Sequence, residues 1–156
     1  ANVGSFYIMS TWGTTSGTWQ FTALQSATAM TVYMANSVGS QKTMNTISYS
    51  FSADTFYHLA FVYNEAEGSN ADKMKVYVNG ALQTNTVAGA ALTTLNSSTA
   101  NFEIGKLGAA TTNEFNGNID EVAIFNSVVD VATLHNSGTP GDLTSLSPIY
   151  WNRMGD

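Results

Sequence analysis

The sequence predicts an all-β domain, a two-sheet antiparallel sandwich with one short helix near residues 130–136. Short runs rich in Val, Ile, Phe, Tyr and Thr are separated by clusters of Gly, Asn, Ser and Thr, which is the strand-and-turn pattern of a sandwich. The pair Asn79-Gly80 directly follows one of these runs and is the strongest short signal for a hairpin. Only the segment after Asp130 has apolar residues at helical spacing, so helix is a minor part of the fold.

The predicted strands either alternate apolar and polar residues or are apolar throughout. In chain order they are Gly4–Thr11, Thr18–Leu24, Ala29–Ala35, Ile47–Phe51, Phe56–Tyr63, Met74–Val78, Ala81–Thr86, Phe102–Gly105 and Gly117–Phe125. Phe56–Tyr63 is apolar on both faces except at His58, which predicts a strand at the centre of a sheet. Residues 87–98 are small and polar and are predicted to be a loop.

The predicted helix has a signal at each end. Asp130 can accept hydrogen bonds from the first free backbone N–H groups, and Val131 and Leu134 follow at helical spacing. Gly138 suits a left-handed residue beyond the last turn. We therefore expect one or two turns.

The composition excludes several classes of protein. There is no cysteine, so neither a disulfide scaffold nor a thiolate zinc site is possible. Five basic residues against eleven acidic ones give a net charge of −6, and we expect no nucleic-acid partner. This acidic balance and the lack of an apolar run of about 18 residues predict no membrane insertion. The weakly charged composition, rich in Ser, Thr, Asn and Gly, suits a glycan-rich or extracellular setting.

Four segments occur in an order that is typical of one family. The segments read FYHLAFVY at 56–63, KVYVNG at 75–80, FEIG at 102–105 and FNGNIDEVAIFN at 115–126. In this order they resemble the laminin G-like jelly rolls of the concanavalin A-like lectin/glucanase superfamily. The match covers about residues 5–138, and its second half is the more specific part. The resemblance implies a jelly-roll sandwich.

The resemblance also divides the chain into a domain, residues 1–138, and a tail, residues 139–156. The family has one or two strands before the position of Gly4, and the tail segment SPIYWNRMGD resembles the family's opening strand. The tail either starts a next repeat or supplies the missing edge strand. Without such a strand the edge of the sheet would expose unpaired backbone N–H and C=O groups. The style of the tail resembles repeats in tail and surface proteins of marine bacteriophages. We therefore expect the chain to be part of a larger assembly.

The carboxylates do not favour an enzyme. Glycoside hydrolysis needs two carboxylates about 5–9.5 Å apart across one bond. Asp120 and Glu121 are adjacent in a predicted strand and so point to opposite faces. Glu65 and Glu67 share a face but run into a Gly-Ser-Asn loop, where a solvated role is expected. We predict a protein without enzymatic activity.

Calcium is the one cofactor that the resemblance implies. Several relatives hold a calcium ion near the start of the domain or at its rim loops, and Asp120 or Asp156 could serve as ligands here. The alternative is structural, with Asp120 bonded to loop backbone beside the turn at Gly117. We favour the structural role.

Sugar binding would require an exposed aromatic face with polar neighbours. Trp12 and Trp19 flank a Gly-rich turn, and Tyr49 lies on a predicted strand, so these three are the candidates. For each of them the alternative is a position in the core. Trp12 is the best candidate for sugar binding, because it lies at the end of a predicted strand beside a Gly-rich turn.

We expect a non-catalytic binding or adhesion module of a virion or extracellular surface protein, which recognises a surface glycan or docks on a neighbouring subunit. One alternative is a purely structural capsid or tail decoration protein. A weaker alternative is the accessory carbohydrate-binding domain of a secreted glycosidase.

Overall fold

A computed structural model of the chain shows three antiparallel sheets and describes residues 5–11, 20–35, 42–89, 100–108 and 113–154. The strands in these ranges are β1 Phe6–Ser10, β2 Gln20–Gln25, β3 Ala29–Ala35, β4 Lys42–Ser48, β5 Leu59–Tyr63, β6 Met74–Val78, β7 Ala81–Leu82, β8 Asn85–Gly89, β9 Glu103–Ile104, β10 Val122–Ile124 and β11 Tyr150–Asn152. The helices are α1 Asn70–Lys73 and α2 Val131–His135, with 3-10 turns at Asn136–Gly138 and Thr144–Leu146.

The largest sheet has six strands in the order β8-β4-β3-β2-β1-β9, and neighbours run antiparallel. The alternation of β3 places Met30, Val32 and Met34 on the buried face. On the opposite face the hydroxyls of Thr31 and Thr46 are hydrogen-bonded across β3 and β4 at 3.1 Å. Strand β3 therefore turns an apolar face to the core, as its period-2 pattern predicts.

The second sheet contains β5-β6-β7, and a separate ribbon pairs β10 with β11. Asn79 and Gly80 join β6 to β7 with φ of 50° and 77°, so the predicted hairpin turn is confirmed. The ribbon places the tail strand β11 beside β10, which directly follows the Ile-Asp-Glu motif.

The main core lies between the six-stranded sheet and β6. Its buried residues are Ile8, Met30, Val32, Met34 and Ile47 from the larger sheet and Met74, Val76 and Val78 from the smaller one. Two amides cross between these layers, because the Nδ2 atoms of Asn45 and Asn85 both donate to the carbonyl oxygen of Met74. Two antiparallel layers enclosing one core confirm the predicted all-β sandwich.

Several strand predictions differ from the structure. The predicted strand Gly117–Phe125 is a strand only over Val122–Ile124, so Asp120 and Glu121 precede it and do not lie on opposite faces of a strand. Strand β4 begins five residues before the predicted Ile47, because its buried face carries the polar residues Thr43 and Asn45. Part of the predicted 87–98 loop is strand β8, paired with β4. Strand β5 lies at the edge of its sheet rather than at the centre, because it pairs only with β6 in the described residues. Leu59, Phe61 and Tyr63 pack on the core, and the residues of the other face are half-buried.

The predicted helix is confirmed as α2. The carboxylate of Asp130 accepts hydrogen bonds from the Thr133 hydroxyl and from the amides of Ala132 and Thr133, and these bonds lower the pKa of Asp130. Gly138 is left-handed as predicted, but the helix already ends at Asn136, which has a φ of 42°. One more helical turn, α1, follows the Gly-Ser-Asn loop. In the described ranges no helix is long and apolar enough to cross a membrane.

Candidate functional site

An open cleft of about 360 Å³ lies beside the edge strand β9. Its lining comes from three parts of the chain: residues 104–106, residues 114–119 and the tail. The lining residues are Ile104, Gly105, Lys106, Glu114, Phe115, Gly117, Ile119 and Met154. The volume is within the range of small-molecule sites, and an apolar floor with a few polar groups is typical of them.

Strand β1 holds the first wall of the cleft. The Gly105 amide donates to the Ile8 carbonyl at 2.7 Å, directly after the β1–β9 pairing. The fully buried hydroxyl of Ser10 donates to the Lys106 carbonyl at 2.9 Å and accepts from the Gly108 amide at 3.1 Å. One buried side chain thus fixes the loop that carries Lys106.

The same strand also positions the second wall. The Tyr7 amide donates to the Asn113 carbonyl at 3.0 Å, and the Phe115 amide donates to the Gly105 carbonyl at 2.7 Å. The Phe115 ring lies against Gly117, where a Cβ atom would come within 2.9 Å of the ring. Phe115 also packs on the core, so part of its ring supports the fold while part lines the cleft.

The third wall is Met154, and a pair of contacts to Glu121 holds this part of the tail. The Trp151 indole donates to Glu121 Oε2 at 3.0 Å, and Arg153 Nε donates to Glu121 Oε1 at 2.9 Å. Both carboxylate oxygens of Glu121 are therefore engaged. Glu121 itself has a φ of 51°, a left-handed conformation that is uncommon for a residue with a side chain.

The cleft carries one cationic and one anionic side chain. Lys106 forms an ion pair with Glu103 at 3.2 Å, with both groups partly exposed. Glu114 is exposed and has no hydrogen-bond or ion-pair partner among the described residues. Its carboxylate is therefore free to accept hydrogen bonds from a ligand.

A second surface feature is an aromatic cluster formed by Tyr49, Phe51 and Tyr57. Tyr57 meets the other two rings edge-on, with centroids 5.8 Å and 5.1 Å away. The Ser52 amide donates to the Tyr57 hydroxyl at 2.9 Å and lowers the pKa of this phenol. The neighbouring Phe56 is 71% exposed, and its ring is the most exposed large apolar side chain that the structure describes.

The sugar-binding candidates have different outcomes. Tyr49 packs against the core and against its aromatic neighbours, so its ring serves packing more than ligand contact. Trp12 and Trp19 lie outside the described residues. The cleft residues Lys106, Glu114 and Phe115 are not predicted from the sequence, although they lie in or beside the FEIG and FNGNIDEVAIFN segments that carry the family resemblance.

Of the two calcium candidates, Asp120 lies within the described residues. The Asp120 carboxylate accepts a hydrogen bond from the Glu121 amide at 2.9 Å, next to that residue's left-handed turn. Asp156 lies outside the described residues. In the part of the chain that the structure covers, no three His, Cys, Asp or Glu side chains are grouped as metal ligands would be.

The two histidines form a pair at one end of the second sheet. Their ring centroids are 5.3 Å apart, and His135 also lies against Gly80 in the β6–β7 turn. The Nδ1 atom of His58 is buried without a partner in the described residues. Burial, and secondarily the charge of His135, lowers the pKa of His58. No serine or carboxylate completes a catalytic arrangement with this pair among the contacts that the structure describes.

Comparison with known proteins identifies the family. A laminin G-type family model, described as the concanavalin A-like lectin/glucanases superfamily, matches residues 2–135. The chain therefore belongs to this superfamily, and the sandwich with its short helix agrees with that membership. Searches of curated proteins and of solved structures find no match.

Proposed function

We propose that this chain is a non-catalytic carbohydrate-binding module and that the cleft beside β9 is its binding site. The observation that carries the proposal is the cleft itself, which combines the Phe115 ring and apolar neighbours with the free carboxylate of Glu114 and the ammonium of Lys106. A sugar packs its C–H face against an aromatic ring and forms hydrogen bonds between its hydroxyls and polar groups. A sugar-binding site therefore needs both kinds of side chain. Membership of a superfamily that contains lectins supports the same function.

The charges favour a neutral glycan over an acidic one. Lys106 is already paired with Glu103, whereas Glu114 is unpaired in the described residues. The chain also carries a net charge of −6, which disfavours approach of an anionic ligand. A neutral sugar can donate its hydroxyl protons to Glu114 without this penalty.

The carboxylates support binding without catalysis. Glycoside hydrolysis uses two carboxylates that flank the scissile bond. Glu114 is the one carboxylate among the lining residues that the structure describes, while both oxygens of Glu121 are bonded to the tail. We assign the module to a virion or extracellular surface protein, on the basis of its weakly charged surface rich in Ser, Thr, Asn and Gly.

A glycan array with the intact chain tests the function, and titration of the best neutral ligand tests the site. Glu114→Gln and Met154→Ala should each weaken binding by about tenfold, because each removes one contact group from an exposed wall of the cleft. Leu82→Ala is the matched control, since this side chain is 56% exposed on β7 and does not line the cleft.

The outcomes separate function from site. If the wild type binds no glycan, the proposed function is wrong. If the wild type binds, the cleft variants behave normally and Trp12→Ala abolishes binding, then the site lies at the tryptophan turn predicted from the sequence.

A second candidate is docking on a neighbouring subunit, as in a structural decoration protein. It is favoured by β11, which pairs only with β10 in the described residues; Tyr150 on this strand is 39% exposed and the preceding Ile149 is 64% exposed. An exposed edge strand with apolar side chains is suited to pairing with another chain. Sedimentation measurements over a wide concentration range test this role, and a strictly monomeric chain that binds glycan would leave only the first candidate.

A further inference from the structure

The sequence contains the dipeptide Asn-Gly twice, as Asn79-Gly80 and Asn116-Gly117. When glycine follows asparagine, the glycine backbone nitrogen is unhindered. Glycine has no side chain that would block the approach of this nitrogen to Cγ of the asparagine side chain. The backbone N of the glycine can then react with the side-chain amide of the asparagine. Two copies of this pair in one chain allow their surroundings to be compared directly.

The reaction requires only water. The glycine amide nitrogen loses its proton to water or hydroxide and attacks Cγ of asparagine. The N–Cγ bond forms, the Cγ–Nδ2 bond breaks, and the nitrogen leaves as ammonia, which gives a cyclic succinimide. Water then opens the ring at one of its two carbonyl groups, which yields either aspartate or isoaspartate. No oxidant, reductant or cofactor takes part.

Asn116 lies in a segment with few restraints. Its side chain is exposed and makes no hydrogen bond with any described residue, and Gly117 is exposed as well. The segment is fixed at one end by the Phe115 amide, which donates to the Gly105 carbonyl, and at the other by the Glu121 carboxylate, which accepts from Trp151 and Arg153. Between them, in the described structure, none of the backbone N–H groups of 116–119 donates a hydrogen bond. The Gly117 nitrogen can therefore approach the Asn116 side chain without breaking a bond.

The packing of Phe115 explains why glycine occupies position 117. A Cβ atom there would lie 2.9 Å from Cε1 and 3.3 Å from Cζ of the Phe115 ring. Any other residue would displace the ring that lines the cleft and supports the core. The glycine that this packing requires is the same residue that leaves Asn116 unprotected.

Asn79 is equally exposed but firmly held. Its side-chain Oδ1 atom accepts a hydrogen bond from the His58 backbone amide at 2.9 Å, and the Asn79 backbone amide donates to the His58 carbonyl at 2.8 Å. Gly80 is packed so closely that a Cβ atom would lie 2.8 Å from Nδ1 of His135. The turn also joins two paired strands, β6 and β7. Ring closure at Asn79 would have to break these contacts first.

We propose that Asn116 is a site of spontaneous deamidation in the folded chain and that the fold protects Asn79 from the same reaction. The products place a new carboxylate on the loop that forms the second wall of the cleft, two residues from Glu114. Isoaspartate also inserts an extra main-chain carbon between Phe115 and Gly117. The proposal depends on this loop geometry and not on the ligand of the cleft.

The test is peptide mapping by mass spectrometry after incubation of the intact, folded chain at mildly alkaline pH. Trypsin separates the two sites, because cleavage after Lys75 and Lys106 releases peptide 76–106 with Asn79 and peptide 107–153 with Asn116. Fragment spectra then locate the modified residue within each peptide. Asn116 should react about tenfold faster than Asn79 or more, since reaction at Asn79 needs local opening of the turn.

Two controls keep the result interpretable. In denaturant the two asparagines should react at similar rates, because the protection of Asn79 is lost with the fold. Asn116→Gln should remain unmodified at position 116, since the longer side chain disfavours ring closure. Equal rates at Asn79 and Asn116 in the folded chain would overturn the proposal. So would an Asn116 rate no higher than that of Asn126, which is exposed but precedes Ser127.

Discussion

The indole of Trp151 donates a hydrogen bond to the Glu121 carboxylate at 3.0 Å, and this contact joins residues 30 positions apart. Arg153 donates to the other oxygen of the same carboxylate, and its guanidinium lies 5.7 Å from the centroid of the Trp151 ring. We call these three side chains the tail clamp. The clamp fastens β11 to the Ile-Asp-Glu motif directly before β10 and so positions Met154 at the cleft.

Removal of the indole donor should loosen the tail. Trp151→Phe keeps an aromatic ring but leaves Glu121 with one fewer partner, and we expect a loss of about 1 kcal/mol because the contact is charge-assisted yet partly exposed. Urea unfolding measures the loss, and hydrogen exchange should locate it at the amides of β11. Glu67→Gln, which removes a more exposed ion pair to Lys75, is the control and should change stability by less than about 0.5 kcal/mol. Equal effects of both variants would contradict the clamp.

Ser10 should be the most sensitive small side chain near the cleft. Ser10→Ala leaves the Lys106 carbonyl and the Gly108 amide without their buried partner, at a cost of about 1–3 kcal/mol. The measurement is the free energy of unfolding, together with ligand affinity at the cleft. Ser48→Ala on the exposed side of β4 should stay within about 0.5 kcal/mol of the wild type. A Ser10→Ala variant as stable as that control would show that the Lys106 loop does not depend on this hydroxyl.

His58 should make stability depend on pH above the range where carboxylates titrate. Its pKa is lowered in the folded chain from the usual 6.5, so the unfolded state takes up a proton first as the pH falls. Stability is therefore complete above about pH 6.5 and declines as the pH falls towards the folded pKa. The ring is only half-buried and water screens its charge, so we expect a loss below about 1 kcal/mol. Thermal melts at several pH values check this.

The matched variant for that series is His58→Leu, which removes the titrating group and the unpartnered Nδ1 atom. Its stability should be flat between about pH 7 and pH 5, while the wild type declines. The pKa values of Asp130 and Asp142 are lowered from the usual 3.8, so these two groups change the stability only at pH values below that range. Parallel pH profiles of variant and wild type would rule out His58 as the source.

Calcium removal should leave the melting temperature unchanged if Asp120 has the structural role that we favour. Its carboxylate caps the Glu121 amide beside a left-handed residue, so Asp120→Ala should lower stability by about 0.5–1 kcal/mol with or without a chelator. A ligand that binds only the folded state raises its melting midpoint. A drop in midpoint on chelation, restored by added calcium, would instead show a calcium site.

The elements that the sequence predicts well are those with an apolar alternation or a local turn signal. Strands β3 and β6, the Asn79-Gly80 turn and helix α2 all carry such signals within a few neighbouring residues. Strand β4 begins earlier than predicted because Thr43 and Asn45 occupy buried positions, which hides the period-2 pattern. Short-range pattern therefore identifies strands only where the buried face is apolar.

The candidate site is not predictable from the sequence for a different reason. Its lining comes from β9, from residues 114–119 and from Met154, and no local pattern shows that β1 holds the first two together. Tyr49 was chosen for its residue type, but aromatic rings at strand spacing more often pack inward, as this one does. The motifs that identified the family did contain Phe115 and Gly117, although their role in a cleft depends on tertiary contacts.

The amides of Asn45 and Asn85 have a consequence for the sandwich as a whole. Apolar layers tolerate lateral sliding, because dispersion contacts have little directional preference. The Met74 carbonyl accepts two hydrogen bonds from the opposite sheet, and a hydrogen bond requires a particular distance and direction. These two bonds therefore oppose sliding of the layers. A shift of either layer by one residue would take both amides away from the Met74 carbonyl and leave the fully buried Asn45 amide without this partner. Polar atoms in the core thus help to set the register between the sheets.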